Sequence, residues 1–280
     1  MVPRHYKNHF RNMGDIMKTR VAARTTNIVG AVIFFCSLTA APALAEEAKP
    51  TANASVGVFS QYIWRGWELS RDSIVIQPSM TVAYNGLAVN LWGNLDTNYY
   101  NPDPALETND FNETDLTISY DGSAGKLLYG VGYIYYATTA DTQEVYAKVG
   151  IDTLLKPTLT VYRDIDHIAG WYIQAGVSHS LPITGKTTLD LGARAGYYIS
   201  ATDSFTEANS SEKYSAFHDG VLSAALTIPV GQYLTVSPQL SWSFPLSSKA
   251  KDRLEADNLA LLGEEKSSFF FGGIATTFAF

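Results

Sequence analysis

The residues that could do chemistry in this chain are mostly acids. They share one parity of short alternating segments: Asp96, Glu113, Asp115, Glu144, Asp152, Asp164, Asp190 and Asp219, set against the bases Arg65, Lys148 and Arg194. Charges gathered on one side of a sheet must be hydrated or paired, because an isolated buried ion is costly. If that side encloses water, the acidic excess makes a field that favours cations. If it does not, the same residues only solvate or fill a narrow interior. Glu144 and Lys148 share a face but lie four residues apart on an extended chain, too far to pair, so their partners must come from neighbouring strands.

Other chemistries find less support. Nucleophilic catalysis needs serine, histidine and a carboxylate within hydrogen-bond reach. His179 and His218 take the opposite, outward parity, with Ser178, Ser180 and Asp219 close in sequence. Adjacent residues on a strand point to opposite faces, so neither serine can serve His179, and no catalytic residue is assigned. Asp164, Asp166 and His167 are metal-ligand types without zinc or calcium spacing, which reads as a solvated loop and no metal. No glycine-rich phosphate loop or other cofactor motif occurs. Cys36 is the only cysteine, so the chain beyond it has no thiol or disulfide chemistry.

The elements that must position these residues are strands. Asn85-Gly86, set between the alternating runs Ile74–Tyr84 and Leu87–Asp96, is the clearest hairpin signal, since both residues tolerate the positive φ of a type I′ turn. Each arm has about the length a tilted strand needs to cross a bilayer. Twelve strands are expected, near 54–65, 73–84, 87–96, 112–121, 126–138, 142–153, 157–165, 169–180, 186–200, 215–228, 232–244 and 268–280. Leu254–Leu262 reads as a short helix within a loop. Connections after even strands are short, and those after odd strands are mostly long and polar. This pattern predicts an all-β, antiparallel up-and-down transmembrane β-barrel of 12 strands with both termini periplasmic. A soluble sandwich has no reason to segregate its loop lengths. Leu234, Val236, Pro238, Leu240, Trp242 and Phe244 form an outward apolar face. Leu127–Thr138 carries apolar or aromatic residues on both faces, so its orientation stays open.

Residues 1–45 read as a signal peptide, with bases at Lys18, Arg20 and Arg24, an apolar Ile28–Thr39 and cleavage near Ala45. Translation starting at Met13 or Met17 would suffice for it. Residues 46–53 then form a short periplasmic segment and 54–280 the barrel. Beyond residue 45 the chain loses one acid, Asp15, and six bases, leaving 26 acids against 14 bases, a balance of −12. An acidic exported chain is a poor nucleic-acid binder. No apolar run there is long enough for a membrane helix. The 17 Tyr, 13 Phe and 5 Trp suit aromatic girdles, for which Tyr62, Trp64, Tyr84, Trp242 and Phe280 are candidates. Phe280 closes an alternating last strand, a C-terminal signature through which the barrel-assembly machinery is an expected partner. The expected surroundings are outer-membrane lipid and lipopolysaccharide.

Tyr62-Ile63-Trp64-Arg65-Gly66, Ile76-Gln77-Pro78-Ser79 and Leu91-Trp92-Gly93-Asn94 together resemble the TorF-like family of outer-membrane porins (the Gcw_chp group). The similarity is clearest over residues 55–96. It continues more loosely through Asn112 to Tyr172, including Glu144-Val145-Tyr146 and Thr160-Val161-Tyr162. The resemblance implies a bacterial outer-membrane barrel with a channel role, and it carries no substrate or catalytic residue. The expectation is therefore a porin-like channel for small hydrophilic solutes or ions, with a weak cation preference set by the lumen acids and gating by loops 97–111 and 245–267. The alternatives are a closed structural or adhesive barrel that binds through its loops, and an outer-wall lipid hydrolase or acyltransferase. Arg65 is expected inside the mouth, either as a constriction or ligand contact or as a structural partner of a carboxylate such as Asp96.

Overall fold

The computed structural model describes residues 49–98 and 110–280. The segment expected to be a signal peptide, its expected cleavage site, Cys36 and most of the 97–111 loop lie outside the described residues. Twelve strands close into one antiparallel barrel. They are β1 (Thr51–Phe59), β4 (Val75–Tyr84), β5 (Leu87–Asp96), β6 (Asp110–Ala124), β7 (Leu127–Ala137), β8 (Thr142–Ile151), β9 (Thr158–Asp164), β10 (Gly170–Thr184), β11 (Thr187–Ser200), β12 (Ser215–Val230), β13 (Leu234–Pro245) and β14 (Phe269–Ala279). Each pairs with its neighbour in sequence, and β1 closes on β14 through Asn53–Ala279 to Phe59–Gly273. Closure pairs every strand on both sides and leaves no sheet edge, the condition for sheet structure in lipid. The barrel wall begins at Thr51, slightly earlier than expected.

Asn85 and Gly86 take φ of 51° and 85°, as a type I′ turn requires. Short turns and both ends of the described wall share one rim, where Phe280 N–H donates to Ala52 O at 3.0 Å. The opposite rim carries the long connections. Chief among these is the segment between β1 and β4, which was expected to extend the first strand to residue 65. Instead β1 stops at Phe59 and a separate hairpin follows, β2 (Ile63–Trp64) and β3 (Trp67–Glu68). A second long connection forms helix α1 (Ser248–Leu262), longer than the sequence suggested. Ser247 caps its first turn by accepting from Ala250 N–H at 3.1 Å, and Gly263 ends it at φ 81°.

The outer wall is apolar and exposed around the barrel. Val56, Val82, Leu91, Ile118, Val149, Leu222, Leu240 and Ile274 all face outward. A continuous apolar belt of this kind on a closed sheet belongs in a bilayer, since a water-soluble chain rarely exposes so large a patch. Tyr84 and Phe280 stand on it at the short-turn rim, and Trp242 stacks on Phe270 at 5.5 Å. On β7 the open question resolves: Tyr129 and Val131 face out, while Gly130, Gly132 and Tyr136 face in. A Cβ on Gly132 would meet the Tyr146 ring at 2.4 Å, so a glycine is what lets that tyrosine lie across the strand. Leu240, exposed near the middle of β13, tests the belt. Leu240→Arg is expected to cost about 2–4 kcal/mol of folding into lipid, readable as a lower denaturant midpoint for refolding into vesicles.

The buried apolar core is not in the wall. It lies inside the lumen at the long-loop end and comprises Trp67, Tyr172, Tyr198, Tyr214, Ala216 and Leu254, with Trp64, Leu69, Tyr162 and Phe205 packed against it.

Candidate functional site

The site is built on the β2–β3 hairpin, which folds into the bore instead of continuing the wall. Ile63 pairs with Glu68 and Trp64 with Trp67, leaving Arg65-Gly66 as a two-residue turn. Their φ values of 47° and 85° make it the same type I′ turn as Asn85-Gly86. Glycine suits this geometry. Arginine does not, and its left-handed backbone costs roughly 1 kcal/mol that other contacts must offset. A Cβ on Gly66 would also crowd Leu254 Cδ1 at 3.1 Å and Asp219 Cβ at 3.2 Å, so the tip is seated tightly.

The offsetting contacts converge on the Arg65 side chain. Nη1 donates to Glu144 Oε1 at 2.7 Å and Nη2 to Oε2 at 2.8 Å, a bidentate pair buried on both sides. The Tyr136 hydroxyl donates to the same carboxylate at 3.0 Å. The guanidinium lies 4.3 Å from the Tyr172 ring centroid, 4.5 Å from Trp64 and 4.7 Å from Tyr162. Burial opposes its charge, but the Glu144 hydrogen bonds more than offset this and hold Arg65 above its ordinary pKa. Glu144, not Asp96, is the partner of Arg65.

The rest of the hairpin reaches the wall in several directions. Tyr62 packs on Trp92 of β5 at 5.6 Å and lies beside Glu113 and Asp115 of β6; burial and then those carboxylates push its phenol well above the usual range. Trp64 meets Tyr136 edge-on. Trp67 packs on His218 at 4.5 Å, on Tyr198 and on Phe205, while its Nε1–H donates to Asp257 of α1 at 2.9 Å. Glu68 N–H donates to Asn258 Oδ1 at 3.3 Å, and Arg71 Nη1 donates to Leu262 O at 2.6 Å. Hairpin and helix thus form one unit that narrows the lumen at the long-loop end. Tyr62 and Trp64 were expected in the outer girdle and are not there. They face the lumen because the first wall strand ends before them.

The remaining candidates fall into separate groups. Asp96 is fully buried near the long-loop rim and accepts from Asn98 N–H at 3.0 Å. Glu113 and Asp115 face the lumen at Tyr62. Asp164 accepts from Thr142 Oγ1 at 2.6 Å and from the N–H groups of Asp166 and Ile168, so it organises the 165–169 loop. Among the described residues, no group of three His, Cys, Asp or Glu side chains is placed to hold a metal ion. Lys148 pairs with Asp121 at 2.7 Å. Asp190 accepts from Thr227 at 2.6 Å and from Thr188 near the short-turn rim. Arg194 donates to Gln174 Oε1 at 2.8 Å and stands 3.7 Å from Asp219, which also accepts from the Tyr172 hydroxyl at 2.7 Å.

The histidines separate. His179 stays on the outer side, its Nδ1 2.9 Å from Leu154 O. His218 was expected outward but is fully buried inside, 2.7 Å from the Tyr214 hydroxyl. A β-bulge causes the difference. Between Ala195–Gly220 and Tyr197–Phe217 the pairing slips, so His218 and Asp219 both turn inward while Phe217 stays out. Among the described residues neither histidine is hydrogen-bonded to a serine. Residue parity alone would have found Tyr162, Tyr172 and Tyr198, which share the inward face with the charges they serve; Trp67 could not be placed without the hairpin.

No family model matches the chain, and no curated protein matches it in sequence. Among solved structures it is similar to the translocator domain of the autotransporter NalP from Neisseria meningitidis, at 10% identity over 84% of this chain and 89% of that one, with a TM-score of 0.38. It is also similar to OprB of Pseudomonas putida at 10% identity, over 84% of this chain and 93% of that one, with a TM-score of 0.34. A third is OmpT, an outer membrane protein of Vibrio cholerae, at 9% identity over 86% and 100%, with a TM-score of 0.35. At these scores the likeness goes no further than a closed antiparallel sheet.

Proposed function

We propose that the chain is a porin-like outer-membrane channel for small hydrophilic solutes, constricted from within by the β2–β3 hairpin and α1. One observation carries this: the apolar core is confined to the hairpin end, while beyond it a space of about 430 Å³ stays open, lined by hydroxyl side chains, glycines and Arg194 with a few apolar groups among them. An inert barrel would gain stability by filling that space with apolar side chains. The lumen field follows from the pairing. Glu144 is matched by Arg65, Asp121 by Lys148 and Asp219 in part by Arg194. Asp96, Asp164 and Asp190 have no basic partner among the described ion pairs, which supports a weak cation preference. Periplasmic termini, and membership of the TorF-like family, belong to the same proposal.

The closed-barrel reading has one observation in its favour, the burial of Arg65 and Trp67 against strands on several sides. Planar-bilayer recording separates the two. A channel gives discrete current steps and a cation-biased reversal potential in a salt gradient. Asp164→Asn combined with Asp190→Asn is expected to move that potential toward zero. No current from the folded protein, either intact or with residues 61–72 replaced by a short glycine-serine link, would leave only the structural barrel.

A further inference from the structure

A cavity of about 430 Å³ lies under the hairpin, on the β9 to β14 side of the lumen. Its size is within the range of small-molecule sites. Ile63 lines it from the hairpin. The side chains of Thr158, Ser178, Ser223 and Ser241 supply hydroxyls, Val221 and Phe271 supply apolar surface, and Arg194 reaches in from β11. Part of the space exists because Gly192 has no side chain: a Cβ there would meet Ser223 Oγ at 2.6 Å.

We propose that this chamber is a binding subsite for a neutral, polyhydroxylated solute of about monosaccharide size. The proposal rests on the channel reading and names its solute class. Neutrality follows from how Arg194 is held. Asp219, fully buried 3.7 Å away, offsets its charge, and Gln174 accepts one of its N–H groups. What remains toward the chamber is a planar fork of donors with little net field. A carboxylate there would find the arginine's charge already offset by Asp219 behind it, and an ammonium would meet the guanidinium. A sugar ring presents a rim of hydroxyls and two faces of C–H bonds. The hydroxyl-bearing side chains and the arginine fork answer the rim; Ile63, Val221 and Phe271 answer the faces.

The test is isothermal titration of the full mature chain in detergent with glucose, and with gluconate and glucosamine as charged counterparts. Saturable glucose binding in the millimolar range is expected. Arg194→Gln, which removes the fork, and Ser223→Leu, which fills the chamber, should each weaken it at least fivefold, with heat-modifiable gel migration unchanged as the check on folding. Three results overturn the subsite: no saturable glucose binding, binding unaltered in both variants, or gluconate or glucosamine binding tenfold tighter than glucose. Conductance is read separately. Current without glucose binding removes the subsite and leaves the channel; glucose binding without current from either the intact or the hairpin-replaced protein removes the channel and leaves the subsite.

Discussion

Arg65→Ala is expected to unseat the hairpin and raise single-channel conductance several-fold. The substitution removes two charge-assisted hydrogen bonds to Glu144 and three cation–π contacts at once. It also strands Glu144, whose side chain is almost fully buried and keeps only the Tyr136 hydroxyl. Breaking a buried pair from one side costs about 3–5 kcal/mol, much of it from the charge left behind. A shift of that size changes the ratio of seated to displaced hairpin by about two to four orders of magnitude. The wall should survive, because its own ladder of pairs is untouched. Arg65→Met with Glu144→Met removes both charges together and should restore much of the seating, since such double replacements are often near neutral. Arg65→Lys should fall between, because an ammonium cannot make the bidentate fork. Planar-bilayer recording of the series gives the order: Arg65→Ala highest, the double variant nearest the wild type.

Trp67→Ala has a comparable effect through packing. The indole is buried among Tyr198, Phe205 and His218, and its N–H holds Asp257. Truncating a buried tryptophan costs about 3–5 kcal/mol. Here the loss falls on two elements, because Trp67 is one of the residues through which the hairpin meets α1. Amide exchange in residues 60–73 and 248–262 is therefore expected to speed up together, while β13 and β14 keep their protection. Faster exchange in the hairpin alone would mean that α1 is held independently, by Leu254 and the Arg253–Asp257 pair.

The wall was largely legible in the sequence because its signals are local. Alternation assigns each residue a side, and Asn85-Gly86 fixes a turn whose dihedral angles leave little choice. The hairpin was not legible for a related reason. Tyr62, Ile63 and Trp64 alternate as a wall strand would, and a strand folded into the lumen has the same period as one facing lipid. Its turn was hidden as well, because Arg65-Gly66 lacks the asparagine or aspartate that usually precedes glycine at a type I′ corner. The pairing of Arg65 with Glu144 spans 79 residues, and nothing local encodes it. His218 shows a second limit. One bulge reverses the parity of everything counted through it, so an outward residue became one of the most buried. Parity could not tell that Asp164 caps a loop while Glu144 is held by Arg65, and Asp152 lies exposed just past the end of β8.

The most direct test compares planar-bilayer conductance of the intact protein with that of a variant whose residues 61–72 are replaced by a short glycine-serine link. Both proteins must first show heat-modifiable migration, so that any difference belongs to a folded barrel. A constriction built from the hairpin predicts small current steps from the intact protein and steps several-fold larger from the variant. Equal conductance from the two, or silence from both, would contradict it.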